Sequence, residues 1–187
     1  MMNLFHRWYC QSGRWRERVE SKIIPAVLGD LDLGESPLEL GPGPGLTTDV
    51  IRRKVPHLTA IELDRRLASS LKDRLAGTNV TVVEGDATTM PFGDAEFTGA
   101  VCLTMLHHVP NADLQDRLLR EVHRVLKPGS WFAGSDSTPR LRWHLYHLFD
   151  TKTPVDPDGF PARLAAAGFS EVTVARTATG FRWRAKA

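Results

Sequence analysis

A short apolar run that ends in a cluster of glycines and prolines restricts the fold of this chain more than any other feature. Residues 37–40, Pro-Leu-Glu-Leu, form a short strand candidate, and residues 41–45, Gly-Pro-Gly-Pro-Gly, follow directly. A helical pattern over 46–55 stops before Pro56, because proline disfavours helix in the preceding residue. Glycines at a strand-to-helix junction let a ligand approach the backbone and the free N–H groups of the helix. The order predicts a βα unit with a binding loop.

Short apolar runs alternate with helical patterns along the rest of the chain. The strand candidates are residues 37–40, 58–61, 79–83, 99–104, 131–134, 169–176 and 181–186. The helix candidates are residues 14–28, 46–55, 64–75, 111–127 and 158–167. Asp64 and Asn111 are the predicted N-terminal caps of two of these helices. Alternation of strands and helices indicates a parallel sheet, and the short turn between the last two strands indicates an antiparallel hairpin. The expected fold is therefore α/β with a mixed sheet.

Composition narrows the class of protein. The chain has 187 residues, with 24 Lys and Arg against 22 Asp and Glu, which gives a net charge of +2. This length predicts a single domain over 1–187, with an N-terminal helical cap or arm over 1–30 and a core over 36–187. The charge balance requires neither nucleic acid nor a membrane surface. No apolar stretch has the length of a membrane span or a signal peptide, and two cysteines make no disulfide framework. We expect a cytoplasmic protein.

Acidic residues follow the second and third strand candidates at spacings that suit a nucleoside. Glu62 ends the second strand about twenty residues after the loop, where an acid accepts hydrogen bonds from ribose hydroxyls. Asp86 and the N–H of Ala87 follow the third strand and suit an exocyclic amine and a ring nitrogen. A strand-end charge and a simple Gly-Asp turn are the alternatives. The loop glycines fall at alternate positions, whereas a dinucleotide fingerprint requires Gly-x-Gly-x-x-Gly.

Taken together, these motifs resemble the class I methyltransferases that use S-adenosylmethionine (SAM), in particular the small type 11 domains similar to ubiquinone and menaquinone biosynthesis methyltransferases. The resemblance runs from about residue 36 to the C-terminus and includes residues 97–108 of the fourth strand and the turn at 125–129. It implies a doubly wound, Rossmann-like, seven-stranded mixed sheet of order 3-2-1-4-5-7-6, with strand 7 antiparallel and helices on both faces. Thr98 and Ser130 depart from the family pattern, which often has Asp and Gly there.

The resemblance also implies a site for SAM, with S-adenosylhomocysteine as product and no metal. Glu39 corresponds to the acid that helps to hold the methionine amino group, Glu62 to the ribose-binding acid, and Asp86 with Ala87 to the adenine pair. The expected cofactor-binding residues are Glu39, Gly41, Pro42, Gly43, Gly45, Glu62, Leu63, Asp86, Ala87, Leu103 and Thr104.

Two histidines after the fourth strand are candidate bases. Methyl transfer from SAM is an in-line displacement, for which the fold supplies alignment and exclusion of water, and a base is needed only if the acceptor must lose a proton. A free imidazole changes its protonation near neutrality, which suits a base, and of His107 and His108 we prefer His108. The alternative is that both histidines pack and hydrogen-bond to hold the loop.

Two segments have open roles. Residues 139–155 are rich in aromatic and histidine residues and suit either a substrate-facing lid or a core-packing helix. His144, His147 and Asp150 have a metal-compatible spacing, but no further ligand cluster accompanies them, so no metal is expected. Residues 1–13 form either a cap over the pocket or a packing arm.

We expect a small-molecule methyl acceptor and no membrane partner; the oligomeric state stays open. One alternative is an RNA methyltransferase, because residues 41–47 and 61–64 also look like the rRNA adenine dimethyltransferases. Those enzymes carry an Asn/Asp-Pro-Pro-aromatic sequence after strand 4, which residues 104–107 lack, so nucleic acid is not the expected partner. The other alternative is a SAM-binding sensor or partner subunit without catalysis.

Overall fold

The computed structural model describes residues 13–139 and 152–187. The aromatic part of the 139–155 segment, including His144, His147 and Asp150, and nearly all of the 1–13 arm lie outside these residues. One seven-stranded sheet organises the described chain. Its strands are β1 (Leu38–Leu40), β2 (Leu58–Glu62), β3 (Val80–Glu84), β4 (Phe97–Leu103), β5 (Leu126–Ser137), β6 (Ser170–Arg176) and β7 (Gly180–Lys186).

Helices connect most of the strands. The α-helices are α1 (Gly13–Arg18), α2 (Ile24–Val27), α3 (Leu46–Ile51), α4 (Arg65–Arg74), α5 (Ala112–Val125) and α6 (Phe160–Ala166). A π-helical turn, Val19–Ile23, joins α1 to α2, and a 3₁₀ turn, Leu106–His108, follows β4. Asp64 accepts hydrogen bonds from the backbone of Arg66 and Leu67, and Asn111 accepts one from Leu114, which confirms both predicted caps.

The order of the strands is β3-β2-β1-β4-β5-β7-β6. Strands β1 to β5 pair in parallel, and β7 runs antiparallel to both of its neighbours, β5 and β6. The predicted seven-stranded mixed sheet is therefore confirmed. The carboxyl ends of the five parallel strands lie along one edge of the sheet, which is where open α/β sheets bind ligands.

Both faces of the sheet are covered by helices. Along β4, Ala100 and Cys102 belong to a core cluster that includes α5 and α6, whereas Val101 and Leu103 belong to a second cluster with α2, α3 and the π-helical turn. This alternation follows from the two-residue period of a strand. Strands that are buried on both faces carry almost continuous apolar runs, as β4 does.

Strand β5 differs from its predicted bounds. We expected a turn at residues 127–129 and a strand over 131–134, but α5 ends at Val125 and the strand begins at Leu126. Pairing explains the difference, because Leu126 pairs with Phe97 and Gly129 donates a hydrogen bond to the C-terminal Ala187. The strand also continues to Ser137, so it carries Asp136 to the ligand-binding edge.

Thr98, one of the departures from the family pattern, joins β4 to the segment before β1. Its Oγ1 donates to the carbonyl oxygen of Leu33 and accepts from the backbone N–H of Ser36, both at 2.9 Å. Gly34 packs so closely that a Cβ at this position would collide with the Thr98 side chain. Thr98 therefore stabilises the chain path into β1 through hydrogen bonds of its own.

Within the described residues, no helix is both long enough and apolar enough to cross a membrane.

Candidate functional site

The glycine loop between β1 and α3 has a backbone that only glycine adopts without strain. Gly41, Gly43 and Gly45 have φ values of 59°, 56° and 86°. A Cβ at Gly41 would collide with Met105 of the segment after β4, and one at Gly45 would collide with α4. Pro42 is buried between these glycines. The loop therefore lies packed at the carboxyl end of β1 with its conformation fixed by close contacts.

Glu39 lies in β1 directly before the loop. It is 1% exposed, and Thr47 of α3 donates a hydrogen bond to its Oε1. Its Oε2 is buried and has no hydrogen-bond partner among the described residues. Burial raises the pKa of this carboxyl from 4.5 to about 7, and the nearby carboxylates of Asp49 and Glu62 act in the same direction. A buried acid with an unused oxygen suits a cationic or hydrogen-bond-donating ligand, because an unpartnered buried polar atom is costly.

Glu62 ends β2 and reaches across to the loop. Its Oε2 accepts a hydrogen bond from the backbone N–H of Gly43, and its Oε1 accepts one from Asp64, both at 2.9 Å. Burial raises the pKa of Glu62, and the hydrogen bonds from the backbone of Asp64 and Gly43 oppose this effect. The next residue, Leu63, is 69% exposed. Among the described residues it is the one large hydrophobic side chain that is exposed. A carboxylate beside an exposed apolar surface suits a sugar joined to a flat ring.

Asp86 and Ala87 follow β3 and lie next to the end of β2. The N–H of Gly85 donates to the backbone carbonyl of Glu62 at 3.0 Å, which fixes this turn against β2. The carboxylate of Asp86 is exposed and accepts the backbone N–H of Thr88 at 2.8 Å. Ala87 packs against the core. The Asp86 side chain therefore has a fixed direction, and its second oxygen makes no hydrogen bond to the residues that the structure describes.

The end of β4 carries a strained residue. Thr104 has a φ of 53°, which is unusual for a β-branched side chain. Its backbone N–H donates to the carbonyl of Ser135 in β5 at 2.7 Å, and its hydroxyl donates to Leu103 at 2.8 Å. Leu103 itself is buried, 7% exposed. Strain of this kind is concentrated at functional sites, where surrounding contacts hold it in place.

A buried histidine–aspartate pair lies beside this strained residue. Asp136 of β5 accepts the backbone N–H of His107 at 2.9 Å, and its other oxygen contacts Nδ1 of the His107 ring. Both residues are buried. The ring of His108 is half-buried and lies 4.2 Å from that of His107. The structure thus pairs the carboxylate with His107, whereas the sequence favoured His108 as a base.

Two residues of this region were not predicted from the sequence, Asp136 and Arg74. Asp136 is the next-to-last residue of β5, and a polar residue near the end of a strand is a usable signal, but its partner His107 is about thirty residues away in the chain. Arg74 ends α4 and donates to the carbonyl oxygens of Pro44 and Gly45. No local pattern distinguishes it from a solvated surface arginine.

The predicted residues lie at one edge of the sheet, at the carboxyl ends of the parallel strands β3, β2, β1, β4 and β5. In spatial order these are Asp86 and Ala87, then Glu62 and Leu63, then Glu39 with residues 41–45, then Leu103 and Thr104. Asp136 and His107 follow at the end of this row. This combination of carboxylates, an exposed apolar side chain and a glycine loop fits SAM, which combines an amine, a sugar and a purine. No cluster that could hold a metal occurs among residues 13–139 and 152–187.

Comparisons with known proteins agree with this geometry. The family model described as "Methyltransferase domain" matches residues 38–134, which contain the glycine loop and strands β1 to β4. The chain is 31% identical over 138 residues to the ubiquinone/menaquinone biosynthesis C-methyltransferase UbiE of Desulfotalea psychrophila, covering 73% of this chain and 52% of the relative. It is also 31% identical over 169 residues to ribosomal RNA small subunit methyltransferase A of Bordetella pertussis, covering 81% and 62%.

A solved structure shows the same fold. The SAM-dependent methyltransferase of Aquifex aeolicus superposes with a TM-score of 0.70 at 19% identity, covering 99% of this chain and 97% of the other. The chain thus spans between half and two thirds of the curated relatives named above, but nearly all of this structure. The family match, the strand order and the glycine loop agree, and the chain belongs to the methyltransferase domain family, as a small class I methyltransferase domain.

Proposed function

We propose that this chain binds SAM at the loop over residues 41–45 and transfers its methyl group to a small-molecule acceptor. The observation that carries this proposal is the pair of buried carboxylates beside the loop, Glu39 and Glu62. Within the described part of the chain Glu39 has a buried oxygen without a hydrogen-bond partner, and Glu62 accepts a hydrogen bond from the loop at Gly43. The whole chain, with its core over 36–187, acts as one domain in this proposal.

Each binding residue has a separate task. Glu62 accepts hydrogen bonds from the ribose hydroxyls, and Glu39 accepts one from the methionine ammonium. Asp86 and the N–H of Ala87 bind the purine edge, and Leu63 covers a face of the ring. Gly41, Pro42, Gly43 and Gly45 let the backbone approach the sugar and the methionine part, while Leu103 and Thr104 line the β4 side.

SAM supplies a methyl group on a sulfonium, so the protein contributes alignment and a dry site. The sulfur–methyl bond breaks as the acceptor–methyl bond forms, and the sulfur keeps the electron pair as S-adenosylhomocysteine. Residues at the ends of β4 and β5 flank the place where the acceptor must approach, because the glycine loop and β2 take up the other side.

We infer that His107 takes the proton when the acceptor has one to lose. Asp136 holds both the backbone N–H and Nδ1 of His107, which fixes the ring. A base fixed in this way by a carboxylate is a recurring arrangement in enzymes. We expect His107→Asn to lower kcat by about two orders of magnitude or more while the Kd for SAM stays within about twofold.

His108→Asn is the matched control for that prediction, because it removes the neighbouring imidazole. Turnover and SAM affinity are measured for both variants, together with Asp136→Asn, which we expect to lower kcat less than His107→Asn does. Wild-type turnover in both histidine variants would show that neither residue is the base. If His107→Asn lost SAM affinity and stability to the same extent as kcat, the role of His107 would be purely structural.

RNA is the second candidate acceptor, because the identity to the ribosomal RNA methyltransferase extends over 169 residues. Tritium transfer from methyl-labelled SAM tests both candidates, with a small-molecule extract and with unmodified ribosomal RNA as acceptor pools. We expect label in the small-molecule fraction only. Label in RNA would replace the proposed acceptor class, and SAM binding without transfer to either pool would favour a non-catalytic SAM-binding role.

A further inference from the structure

A single arginine ties the outer side of the glycine loop to the rest of the domain. Arg74, the last residue of α4, donates from Nη2 to the carbonyl oxygens of Pro44 and Gly45, both at 3.3 Å. Its Nη1 donates to both carboxylate oxygens of Asp49 in α3 at 2.9 Å. One side chain thus joins the loop, the helix that follows the loop and the helix that follows β2.

The loop needs such a tie because of its composition. Three of its five residues are glycines with positive φ, and glycine has more alternative backbone conformations than any other residue. A cavity of about 270 Å³, which Pro44 and Arg74 help to line, adjoins the loop, so packing does not hold this side completely. Hydrogen bonds to the loop carbonyls therefore add to the close contacts that fix its conformation.

On its inner side the loop is held by Glu62, which is also a proposed contact of the cofactor. Glu62 holds the loop by accepting the N–H of Gly43, and the same carboxylate is the proposed acceptor for the ribose hydroxyls. Arg74 contacts the loop from α4, through the carbonyl oxygens of Pro44 and Gly45, and not through the carboxylate of Glu62. When the sugar engages Glu62, Arg74 keeps the backbone of residues 44 and 45 in place.

Close packing supports the same assignment. A Cβ at Gly45 would collide with the guanidinium of Arg74 and with the side chain of Leu71. The loop and α4 are therefore fitted to each other at the residue that begins α3. Asp49, which is 8% exposed, adds the charge that fixes the direction of the guanidinium.

We propose that Arg74 is a positioning residue for the SAM-binding loop, which it holds in the conformation that receives the cofactor. This proposal rests on the proposed function. It predicts that loss of the guanidinium weakens the binding of SAM and of S-adenosylhomocysteine. The methyl-transfer step at saturating SAM is unchanged, because among the described residues Arg74 donates hydrogen bonds only to the loop backbone and Asp49.

Isothermal titration of Arg74→Met and Arg74→Lys tests the proposal. Lysine keeps a charge for Asp49 but lacks the forked donors that reach two further carbonyls. We expect the Kd for SAM to rise roughly five- to thirtyfold in Arg74→Met and by a smaller factor in Arg74→Lys, as for the loss of hydrogen bonds from a charged donor. Lys72→Met, an exposed change of the same charge in α4, is the control and keeps wild-type affinity.

Amide hydrogen exchange separates loop positioning from general destabilisation. In both Arg74 variants, exchange at residues 43–49 without cofactor should be faster than in the wild type, while exchange in β4 and β5 is unchanged. Wild-type affinity and exchange in both variants would overturn the assignment of Arg74 but leave the proposed function intact. Faster exchange throughout the sheet would also overturn it, as a structural effect. Absence of SAM binding by the wild type would instead refute the proposed function.

Discussion

At the residue scale, Glu39 illustrates how burial prepares a group for a ligand. Its carboxyl lies in a strand that is buried on both faces, so the charged form is poorly solvated and its pKa rises to about 7. A cationic ammonium beside the unpartnered Oε2 would stabilise the carboxylate and lower this pKa. Binding of SAM should therefore be coupled to the release of a proton.

The affinity for SAM should depend on pH for this reason. Below pH 7 the carboxyl of Glu39 is largely protonated in the empty protein, and we expect the Kd for SAM to rise by up to about tenfold per pH unit there. Above pH 8 the carboxyl of Glu39 is ionised and adds no further pH dependence to the Kd. Titration calorimetry in buffers with different ionisation enthalpies measures the released proton directly.

Glu39→Gln is the control, since it removes the titration and keeps the size of the side chain. Glu62, whose pKa is also raised by burial, stays in this variant and can add a weaker pH dependence of its own. A Kd that is equally steep in pH in the wild type and in Glu39→Gln would contradict the assignment. The stability of the ligand-free fold should change with pH in the opposite direction. Because the pKa of Glu39 is raised in the fold, its contribution to stability is largest below pH 4.5 and is lost as the pH rises towards 7.

At the scale of elements, periodicity predicted most of the fold. Apolar runs placed all seven strands, and Asp64 and Asn111 were recognised as caps because capping depends on neighbouring residues only. The bounds of β5 could not be predicted in this way, since Leu126 joins the strand through pairing with Phe97. Pairing between distant segments leaves no mark in the local pattern.

The candidate site also has a part that the sequence predicts and a part that it does not. The glycine loop and the acids after β2 and β3 were visible because each lies at a strand end and carries a distinct residue type. The contact between His107 and Asp136, and the one between Arg74 and the loop, join elements far apart in sequence. Only the order of the strands and helices in space brings these partners together, so the sequence favoured the other histidine and did not identify Arg74.

At the scale of the whole molecule, the sheet order determines where chemistry can occur. Five parallel strands end at one edge, and the order of the strands reverses between β1 and β4, which opens the crevice in which such folds bind nucleosides. The antiparallel β7 closes the other side of β5 and buries its aromatic residues Phe181 and Trp183. One continuous sheet thus supports the proposed cofactor site and the proposed base.

The most direct test is a calorimetric titration of SAM into the wild type and into Glu62→Gln at pH 8, where Glu39 is ionised. We predict one site per chain in the wild type and a Kd at least about tenfold higher in the variant, because an amide replaces the proposed acceptor for the ribose hydroxyls. Thermal melting of both proteins confirms that the variant is folded. No heat and no ligand-induced shift in Tm with the wild type, or equal affinity of the two proteins, would contradict the proposed SAM site.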